Sequence, residues 1–333
     1  MWAEPLKVSQ QARSQCLSTL PALEARWRER DRPHAPELQW ALERYQQVMR
    51  VDGSTLDGLI RKMGLLKDLE SHPLAGKITA VLDVCPRLPL HLWYEANPKA
   101  HDQSLWPMIQ AVLHPRTWVL FDMGYTNFAV FRQLSEQGVT FLTRAKTKLA
   151  YEVGQVFQRR AAVHDRLVWI GQAETRQRVR LIEVLYKGTW YRYLTNEVDP
   201  LILPIEYSVT LYWQRWRIED AYNRVKRLLG WAYFWSGSQN AVELQVWATW
   251  LLYAVLVDLT DILAQALNRP FSEISLEMVY RSLYYLTKAH ERGAAQDLIS
   301  YLVQNTKLLG LVKRKPPPSK LGSLFDLTAA SIP

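Results

Sequence analysis

The sequence is poor in the residues from which metal centres and disulfide frameworks are built. Its 333 residues contain two cysteines, Cys16 and Cys85, and seven histidines, and none stands at the spacing of zinc ligands. One bridge would do little for a chain of this length, so we expect a reducing cytoplasm. The CxxC, HExxH, Walker A, GxSxG and GxGxxG patterns are absent, which counts against the enzyme classes that they identify.

Long hydrophobic runs and a signal peptide are also missing. The most apolar stretch, 244–257, has 14 residues, against the roughly 20 that cross a bilayer. We interpret it as a buried core helix and predict no membrane partner. The first residues lack the basic and apolar segments of an exported protein, so we expect no export.

Positive charge is abundant and concentrated. The chain has 41 Lys and Arg against 32 Asp and Glu, a formal net charge of +9. Residues 141–230 hold 16 of these bases and 9 of these acids, which accounts for +7 of the total. A basic protein favours a polyanionic partner, and the concentration in one stretch favours DNA over a membrane surface.

Hydrophobic periodicity predicts an α/β fold. Short β-type runs, such as 48–51, alternate in the first half with segments of helical spacing, such as 104–113, which indicates a mixed sheet flanked by helices. A period of two follows over 151–205, typical of a β-rich insertion, and helical spacing then returns. The predicted domains are an N-terminal helical segment (1–47), a central domain with the insertion (48–265), and a helical C-terminal region with a basic, proline-rich tail (266–333).

Two aspartates directly follow predicted strands and are candidate metal ligands. Asp52 and Asp122 each follow a predicted strand directly, with a glycine within the next two residues. A strand end beside glycine lets a phosphate approach the backbone, and carboxylates that converge from several elements can hold Mg²⁺. Asp83 and Asp57 are rival candidates, and a turn or capping role is the alternative for each acid.

A row of polar side chains follows one helical segment. At about 100° per residue, Tyr212, Arg215, Glu219 and Lys226 share one stripe, with apolar residues on the other side. We predict that this helix docks by its apolar face and presents the row outward. The alternative is a solvated face on which Arg215 and Glu219 form an ordinary ion pair.

This pattern resembles the YREK signature of DDE transposases of the insertion-sequence-four type. Two, three and six residues separate Tyr212, Arg215, Glu219 and Lys226, as in that signature. Asp52, within Val-Asp-Gly-Ser-Thr, and Asp122, within Asp-Met-Gly-Tyr, resemble the first two acids of the family's catalytic triad. The resemblance spans about residues 48–260 and implies a ribonuclease-H-like fold.

The resemblance also implies an activity and its partners. Asp52, Asp122 and Glu219 would hold two Mg²⁺ ions, with Mn²⁺ as a substitute, and catalyse cleavage and strand transfer at insertion-sequence ends in cut-and-paste transposition. Arg215 and Lys226 would bind DNA phosphates, and Tyr212 would bond a backbone oxygen. The partners would be double-stranded DNA of transposon ends and target, and a second copy of the chain, in a nucleoid-associated cytoplasmic location.

Further DNA contacts are predicted in the β-rich insertion and just before it. Arg144, Lys146 and Lys148 alternate, so all three can point to one side of a strand or its extension, as a phosphate track or a solvated face. Trp190, at the tip of a predicted hairpin, lies where the family places a tryptophan that receives a flipped base. A core tryptophan is the alternative.

Two other functions fit the same residues. A structure-selective nuclease of the same fold would keep the three acids without needing the Tyr, Arg and Lys row. An inactive, truncated remnant would retain only DNA binding. Convergence of Asp52, Asp122 and Glu219 within metal-bridging reach is the geometric expectation that separates catalysis from the remnant, and Asp83 is the replacement if they stay apart.

Overall fold

The fold is built on one mixed sheet of nine strands. The computed structural model describes residues 5–30, 34, 36–55, 77–95, 97, 100–213, 216–228, 239–295 and 297–313. The strands are β1 (Gln47–Thr55), β2 (Lys77–Asp83), β3 (Pro89–Glu95), β4 (Thr117–Phe121), β5 (Thr140–Arg144), β6 (Glu152–Arg159), β7 (Val163–Ile170), β8 (Gln177–Tyr186) and β9 (Thr189–Thr195). Their order across the sheet is β3-β2-β1-β4-β5-β9-β8-β7-β6.

Helices flank this sheet and form the C-terminal region. They are α1 (Pro5–Glu29), α2 (Pro36–Arg44), α3 (Trp106–Gln110), α4 (Phe128–Glu136), α5 (Ile205–Trp213), α6 (Trp216–Arg227), α7 (Gln239–Ala266), α8 (Leu276–Glu291) and α9 (Leu298–Gln304). The predicted mixed sheet flanked by helices is confirmed. The bounds of the three domains stay a prediction.

The central strands combine both kinds of pairing. β1, β2 and β3 pair antiparallel, whereas β1, β4 and β5 run parallel. Every residue of β2 and β4 is buried, which agrees with their apolar composition, because strands covered on both faces lose the alternation of a half-exposed sheet. This antiparallel meander followed by two parallel strands is the ribonuclease-H-like arrangement that the resemblance implies.

The two faces of the sheet carry different helices. Side chains such as Val51 and Phe121 pack with α3 and α4 on one face. Val48 and Leu120 point to the other face, where α2 and α5 cover them. On that second face α6 and α7 also pack on residues of β2. Since successive residues of a strand alternate between faces, the residue after Val51 or Phe121 projects toward the second face.

The β-rich insertion continues the central sheet. β9 pairs antiparallel with β5, and β8, β7 and β6 follow outward. A fully buried ion pair lies between two of its strands: the Arg180 guanidinium bonds both Asp165 carboxylate oxygens at 2.8 and 2.7 Å. Arg180 also donates to the Leu203 carbonyl at 2.5 Å, which attaches the insertion to the segment before α5.

The predicted core helix is α7. It is long and apolar enough to cross a membrane by length and composition, and 67% of its most apolar window is buried in the fold. Trp250 and Tyr253 lie in the same core cluster as residues of β2 and of α1. A charged contact adds to this packing, since Arg30 bonds Asp258 and Asp261 of α7 at 2.5 and 2.8 Å.

The observed elements differ from prediction at two places near the sheet edge. β1 continues to Thr55, beyond the predicted strand 48–51, because it stays paired with β2 after its pairing with β4 has ended at Val51. The helix predicted over 104–113 is a 3₁₀ turn at Asp102–Leu105 followed by the short α3, which has Pro107 in its first turn.

Candidate active site

The predicted aspartates stand side by side at one edge of the sheet. β1 and β4 are parallel neighbours, and the last residues paired between them are Val51 and Phe121. Asp52 and Asp122 follow these residues directly, and Asp122 keeps an extended backbone with φ −81° and ψ 165°. Adjacent strands lie about 4.8 Å apart, so the two carboxylates project together toward the second face of the sheet. We call this end of β1, β4 and β5 the carboxyl edge.

Both aspartates are half-buried, as the ends of strands allow. One Asp52 carboxylate oxygen accepts the Gly53 backbone N–H at 2.9 Å, which orients the side chain. The Asp122 carboxylate lies 3.4 Å from the Tyr212 hydroxyl, which donates to it. Local hydrogen bonds therefore orient both carboxylates at the carboxyl edge.

The pKa values of two buried tyrosines are raised by burial and by the negative charge of the carboxyl edge. Burial raises the pKa of the Tyr125 hydroxyl, and the charges of Asp102, Asp52 and Asp122 raise it further. Burial, followed by the charge of Asp52, likewise raises the pKa of Tyr222 well above its usual value. Both phenols are neutral across the physiological range and can act only as hydrogen-bonding groups beside the carboxylates.

Helix α6 lies against β1 on the second face. The Tyr222 hydroxyl is 3.1 Å from the Asp52 carbonyl oxygen and 3.3 Å from that of Ile78, where it donates. One turn later the Lys226 amine donates to the Ser54 hydroxyl at 2.5 Å. Glu219 is half-buried and lies one turn before Tyr222 on the same side of α6, because residues three and four apart share a helix face.

Two side chains of the predicted row, those of Tyr212 and Lys226, face the sheet. We predicted that Tyr212, Arg215, Glu219 and Lys226 are presented outward, and this is wrong for Tyr212, which is 4% exposed and packs against Tyr193. Lys226 turns to β1 as well. The reason is that the second face of the sheet offers polar partners at its carboxyl edge, whereas the stripe was assigned to solvent from its polarity alone. Arg215 lies outside the described residues.

The donor set at the carboxyl edge suits a hard divalent cation. Asp52 and Asp122 supply carboxylate oxygens from adjacent strands, the ligands that Mg²⁺ and Mn²⁺ prefer. In the described part of the chain, no three His, Cys, Asp or Glu side chains form a group that could hold a metal ion. The expectation that Asp52, Asp122 and Glu219 converge within metal-bridging reach is therefore not met. Asp52 and Asp122 are neighbours, and Glu219 lies on the helix that packs beside them.

The rival acids are not at this edge. Asp83 pairs with Met49 near the start of β1, so it lies at the opposite end of the sheet from Asp52. It is 2% exposed and accepts the Cys85 backbone N–H at 2.8 Å. Burial raises the pKa of Asp83 to about 7, with the Cys85 N–H acting in the other direction. Asp57 lies outside the described residues.

The predicted phosphate track is interrupted. Strand β5 ends at Arg144, and the chain turns at Lys146, where the Leu149 N–H bonds its carbonyl oxygen. The expectation that Arg144, Lys146 and Lys148 point to one side of an extended strand is therefore wrong, because the pairing of β5 with β9 ends at Arg144 and the chain turns after Lys146. Arg144 instead lies over the Tyr191 ring, 5.6 Å from its centre.

Lys146 and Lys148 contribute to a cavity beside the carboxyl edge. The cavity has a volume of about 720 Å³ and also contains Tyr151, Trp169 and Arg176 in its wall. Thr126, four residues after Asp122, lines the same cavity. Two lysines and two aromatic rings thus lie next to the loop that follows the second aspartate.

Trp190 lies in β9 beside the β8–β9 turn and is 37% exposed. It stacks on His164 of the neighbouring hairpin, with ring centres 4.6 Å apart and planes 22° from parallel. One face of the indole is therefore already covered by protein. Its predicted contact with a base stays a prediction.

Part of the positive charge of the insertion is used inside the protein. Arg166 and Arg192 both bond Glu183 at 2.7 Å, and the buried Arg180 bonds Asp165. The net excess of +7 in residues 141–230 therefore overstates the number of arginines available to a ligand, since Arg180 is completely enclosed.

Sequence reasoning missed Asp102 and Lys77. Asp102 begins the 3₁₀ turn before α3, and its carboxylate is paired with the Lys77 amine of β2. Neither residue follows the last residue of an apolar strand run, which was the signal used for Asp52 and Asp122. An acid directly before a predicted helix is read as a cap, so the sequence offered no sign that Asp102 lies at the carboxyl edge.

Comparison with known proteins shows the family to which the chain belongs. The transposase DDE domain family matches residues 75–255, more than half of the chain. Among solved structures, the chain is similar to the piggyBac transposase in a synaptic complex with hairpin DNA, at 12% identity and a TM-score of 0.46. That likeness covers 82% of this chain and 59% of the piggyBac transposase chain, so this chain spans less than two thirds of the length of that transposase. No curated protein matches the chain.

Proposed function

Because the chain belongs to the family of transposase DDE domains, we propose that it is a DNA transposase of the insertion-sequence-four type. It would cut and join DNA at insertion-sequence ends by a cut-and-paste route, as a dimer that holds two ends together. The observation that carries the proposal is the juxtaposition of Asp52 and Asp122 at the ends of parallel neighbours, beneath the helix that bears Glu219 and Lys226.

Asp52, Asp122 and Glu219 would be the metal ligands. Divalent ions, which this family generally uses, supply the charge that activates a water or a 3′-hydroxyl and stabilises the leaving oxygen of a phosphodiester. The two aspartates would bind from adjacent strands and Glu219 from α6. The Gly53 N–H and the Tyr212 hydroxyl would keep the two aspartate carboxylates oriented, which reduces the reorganisation needed for reaction.

The basic groups near the carboxyl edge would bind the DNA strands. Lys226, which donates to Ser54 two residues beyond Asp52, is close enough to the edge to grip a phosphate beside the cleaved bond. The planar guanidinium group of Arg215 would bind a second phosphate through two hydrogen bonds. Lys146 and Lys148 at the adjoining cavity would hold the DNA that extends from the site.

Strand cleavage and strand transfer test the proposal directly. DNA that carries candidate ends from the sequence flanking the gene is incubated with the full chain and Mg²⁺ or Mn²⁺. Wild type is expected to cut and join this DNA, and Glu219→Gln is expected to do neither. Glu277→Gln, on an exposed part of α8, is the matched control and should keep full activity.

Two outcomes would overturn the proposal. Equal activity of wild type and Glu219→Gln would remove the carboxylate from the mechanism. Cleavage that depends on DNA structure, without joining to a target, would point to a nuclease of the same fold.

A further inference from the structure

Asp102 occupies the space between Gly53 of β1 and the loop that follows Asp122. A methyl group added at Gly53 would place its carbon 3.1 Å from one Asp102 carboxylate oxygen, and one added at Gly124 would lie 2.8 Å from the other. One carboxylate therefore rests against both backbones, one oxygen to each. Gly53 directly follows Asp52, and Gly124 comes two residues after Asp122.

Lys77 of β2 holds this carboxylate. Its amine forms an ion pair with Asp102 and also donates to the Ala100 carbonyl at 3.3 Å. The lysine side chain is 11% exposed, and its Cε lies 2.7 Å from the position that a carbon on Gly53 would take. A side chain at Gly53 would therefore collide with both members of the ion pair.

The residues after Asp102 are attached to the loop after Asp122. The Gln103 side-chain amide donates to the Thr126 carbonyl at 2.7 Å, and the Trp106 indole N–H donates to the Tyr125 carbonyl at 2.9 Å. Together with Asp102 against Gly124, three side chains of one short segment contact this loop. The segment thus connects β2, through Lys77, with the loop that begins at Asp122.

The ion pair also offsets the negative charge of the Asp102 carboxylate. Because Asp102 lies against Gly53 and Gly124, it places a further negative charge near Asp52 and Asp122, and like charges repel. The Lys77 ammonium offsets that charge, so the Asp102 carboxylate can serve as a spacer without competing for the cation that the two aspartates attract.

We propose that the Lys77–Asp102 ion pair is a positioning device that sets the separation of Asp52 and Asp122 for metal binding. The inference rests on the proposed function, because it assumes that these aspartates are metal ligands. Asp102 acts through the backbones of Gly53 and Gly124 and does not itself touch the reacting atoms.

Direct Mn²⁺ binding to the full chain, followed by electron paramagnetic resonance, tests the device apart from activity. Asp102→Asn keeps the shape of the side chain and removes its charge. We expect its Mn²⁺ dissociation constant to rise roughly 10- to 100-fold, as for outer partners of metal ligands. The Mn²⁺ concentration that half-saturates cleavage should rise in parallel, while the KM for DNA stays unchanged and excess Mn²⁺ restores the rate.

A second variant covers the case in which Asp102→Asn does not fold. Gly124→Ala keeps both Asp102 and Lys77 in the sequence, but its methyl group forces the Asp102 carboxylate away from the loop. A similar rise in the Mn²⁺ dissociation constant is therefore expected. Asp297→Ala, which removes a helix cap far along the chain, lowers stability without touching this segment and should leave Mn²⁺ binding unchanged.

Asp122→Asn separates failure of this inference from failure of the proposed function. If Asp122→Asn abolishes Mn²⁺ binding while Asp102→Asn and Gly124→Ala bind as wild type, the positioning role is overturned and the function stands. If Asp102→Asn abolishes binding as completely as Asp122→Asn, Asp102 is a ligand and the positioning role is again overturned. Unchanged binding in Asp122→Asn would overturn the proposed function itself.

Discussion

The two ends of the central sheet use aspartate in opposite ways. At the carboxyl edge, Asp52 and Asp122 are half-buried and lie next to glycines, backbone N–H groups and a tyrosine hydroxyl. At the other end, Asp83 is enclosed by the fold and has a backbone N–H as its partner. The first arrangement keeps both carboxylates partly exposed at the edge of the sheet, whereas the second gives a carboxyl group whose charged form is disfavoured by burial.

This difference shows that an acid at the end of an apolar strand has no fixed role. All three aspartates follow or end such a run in the sequence. What separates them is direction: β1 and β4 are parallel and end together, while β2 is antiparallel and ends at the far side. Topology therefore decides which acids become neighbours.

The sharpest test compares Asp122→Asn with Asp83→Asn in metal-dependent DNA cleavage. Loss of a charged metal ligand should raise the barrier by about 4 kcal/mol or more, so Asp122→Asn should cleave at least roughly a thousandfold more slowly. Asp83→Asn should cleave like wild type, since its side chain lies at the other end of the sheet. Initial rates of nicking on the same DNA measure both, and a loss confined to Asp83→Asn would reverse the assignment.

The free energy of unfolding should depend on pH through the protonation of Asp83. Its pKa is raised to about 7 in the fold from 3.8, mainly by burial, so the folded state binds the proton more tightly than the unfolded state. The contribution of Asp83 to stability is therefore most favourable below about pH 4 and is lost as pH rises to about 7. Asp83→Asn lacks this loss and should exceed wild type by roughly 4 kcal/mol at pH 8, with little difference at pH 4.

Urea denaturation across this pH range measures the effect. Asp297, an exposed cap whose pKa is lowered by bonds from Ser300, provides a control of opposite sign. Its contribution to stability is present above pH 4 and is lost as pH falls. A wild type that gains stability from pH 4 to pH 7 relative to Asp83→Asn would contradict the buried, protonated state of Asp83.

Tyr222→Phe should weaken the attachment of α6 to the carboxyl edge. The variant loses the hydroxyl that donates to the Asp52 or Ile78 carbonyl and keeps the ring that packs on Trp250. The free energy of unfolding should fall by about 1 kcal/mol, the net value of one hydrogen bond, and cleavage should fall by less than roughly tenfold. Tyr284→Phe, on an exposed ring, is the control. Equal losses of stability and cleavage in both variants would show that the Tyr222 hydroxyl does not attach α6 to the carboxyl edge.

The smallest expected effect concerns the cavity beside the edge. Lys148→Gln should weaken DNA binding a fewfold and reduce the slope of log affinity against log salt by about 1, as for one lost phosphate contact. Cleavage of DNA at saturation should be unchanged. Lys288→Gln in α8, whose amine pairs with Glu291, is the matched control. The same slope in wild type and Lys148→Gln would exclude a phosphate contact here.

Much of the site could be predicted because its signals are local. The position of Asp122 directly after β4 follows from an apolar run and a nearby glycine, although β1 continues past Asp52 to Thr55. The side of α6 shared by Glu219 and Lys226 follows from the helical repeat. The burial of Tyr212 could not be predicted in this way. A polar stripe looks the same in sequence whether water or a row of strand ends lies opposite.

Other failures have the same cause. The alternation of Lys146 and Lys148 indicated a strand, but only pairing with β9 keeps that segment extended, and the pairing stops at Arg144. Asp102 and Lys77 are 25 residues apart and meet only because the loop before α3 returns across β2.

By itself, the sequence determined the succession of strands and helices, the β-rich insertion, and the strand-end acids, because periodicity, turn residues and glycines act over a few residues. The tertiary structure decided which acids meet, which polar stripe is enclosed, and where the Lys77–Asp102 ion pair lies. Those outcomes depend on strand direction and register across the whole sheet, and no short window of sequence contains them.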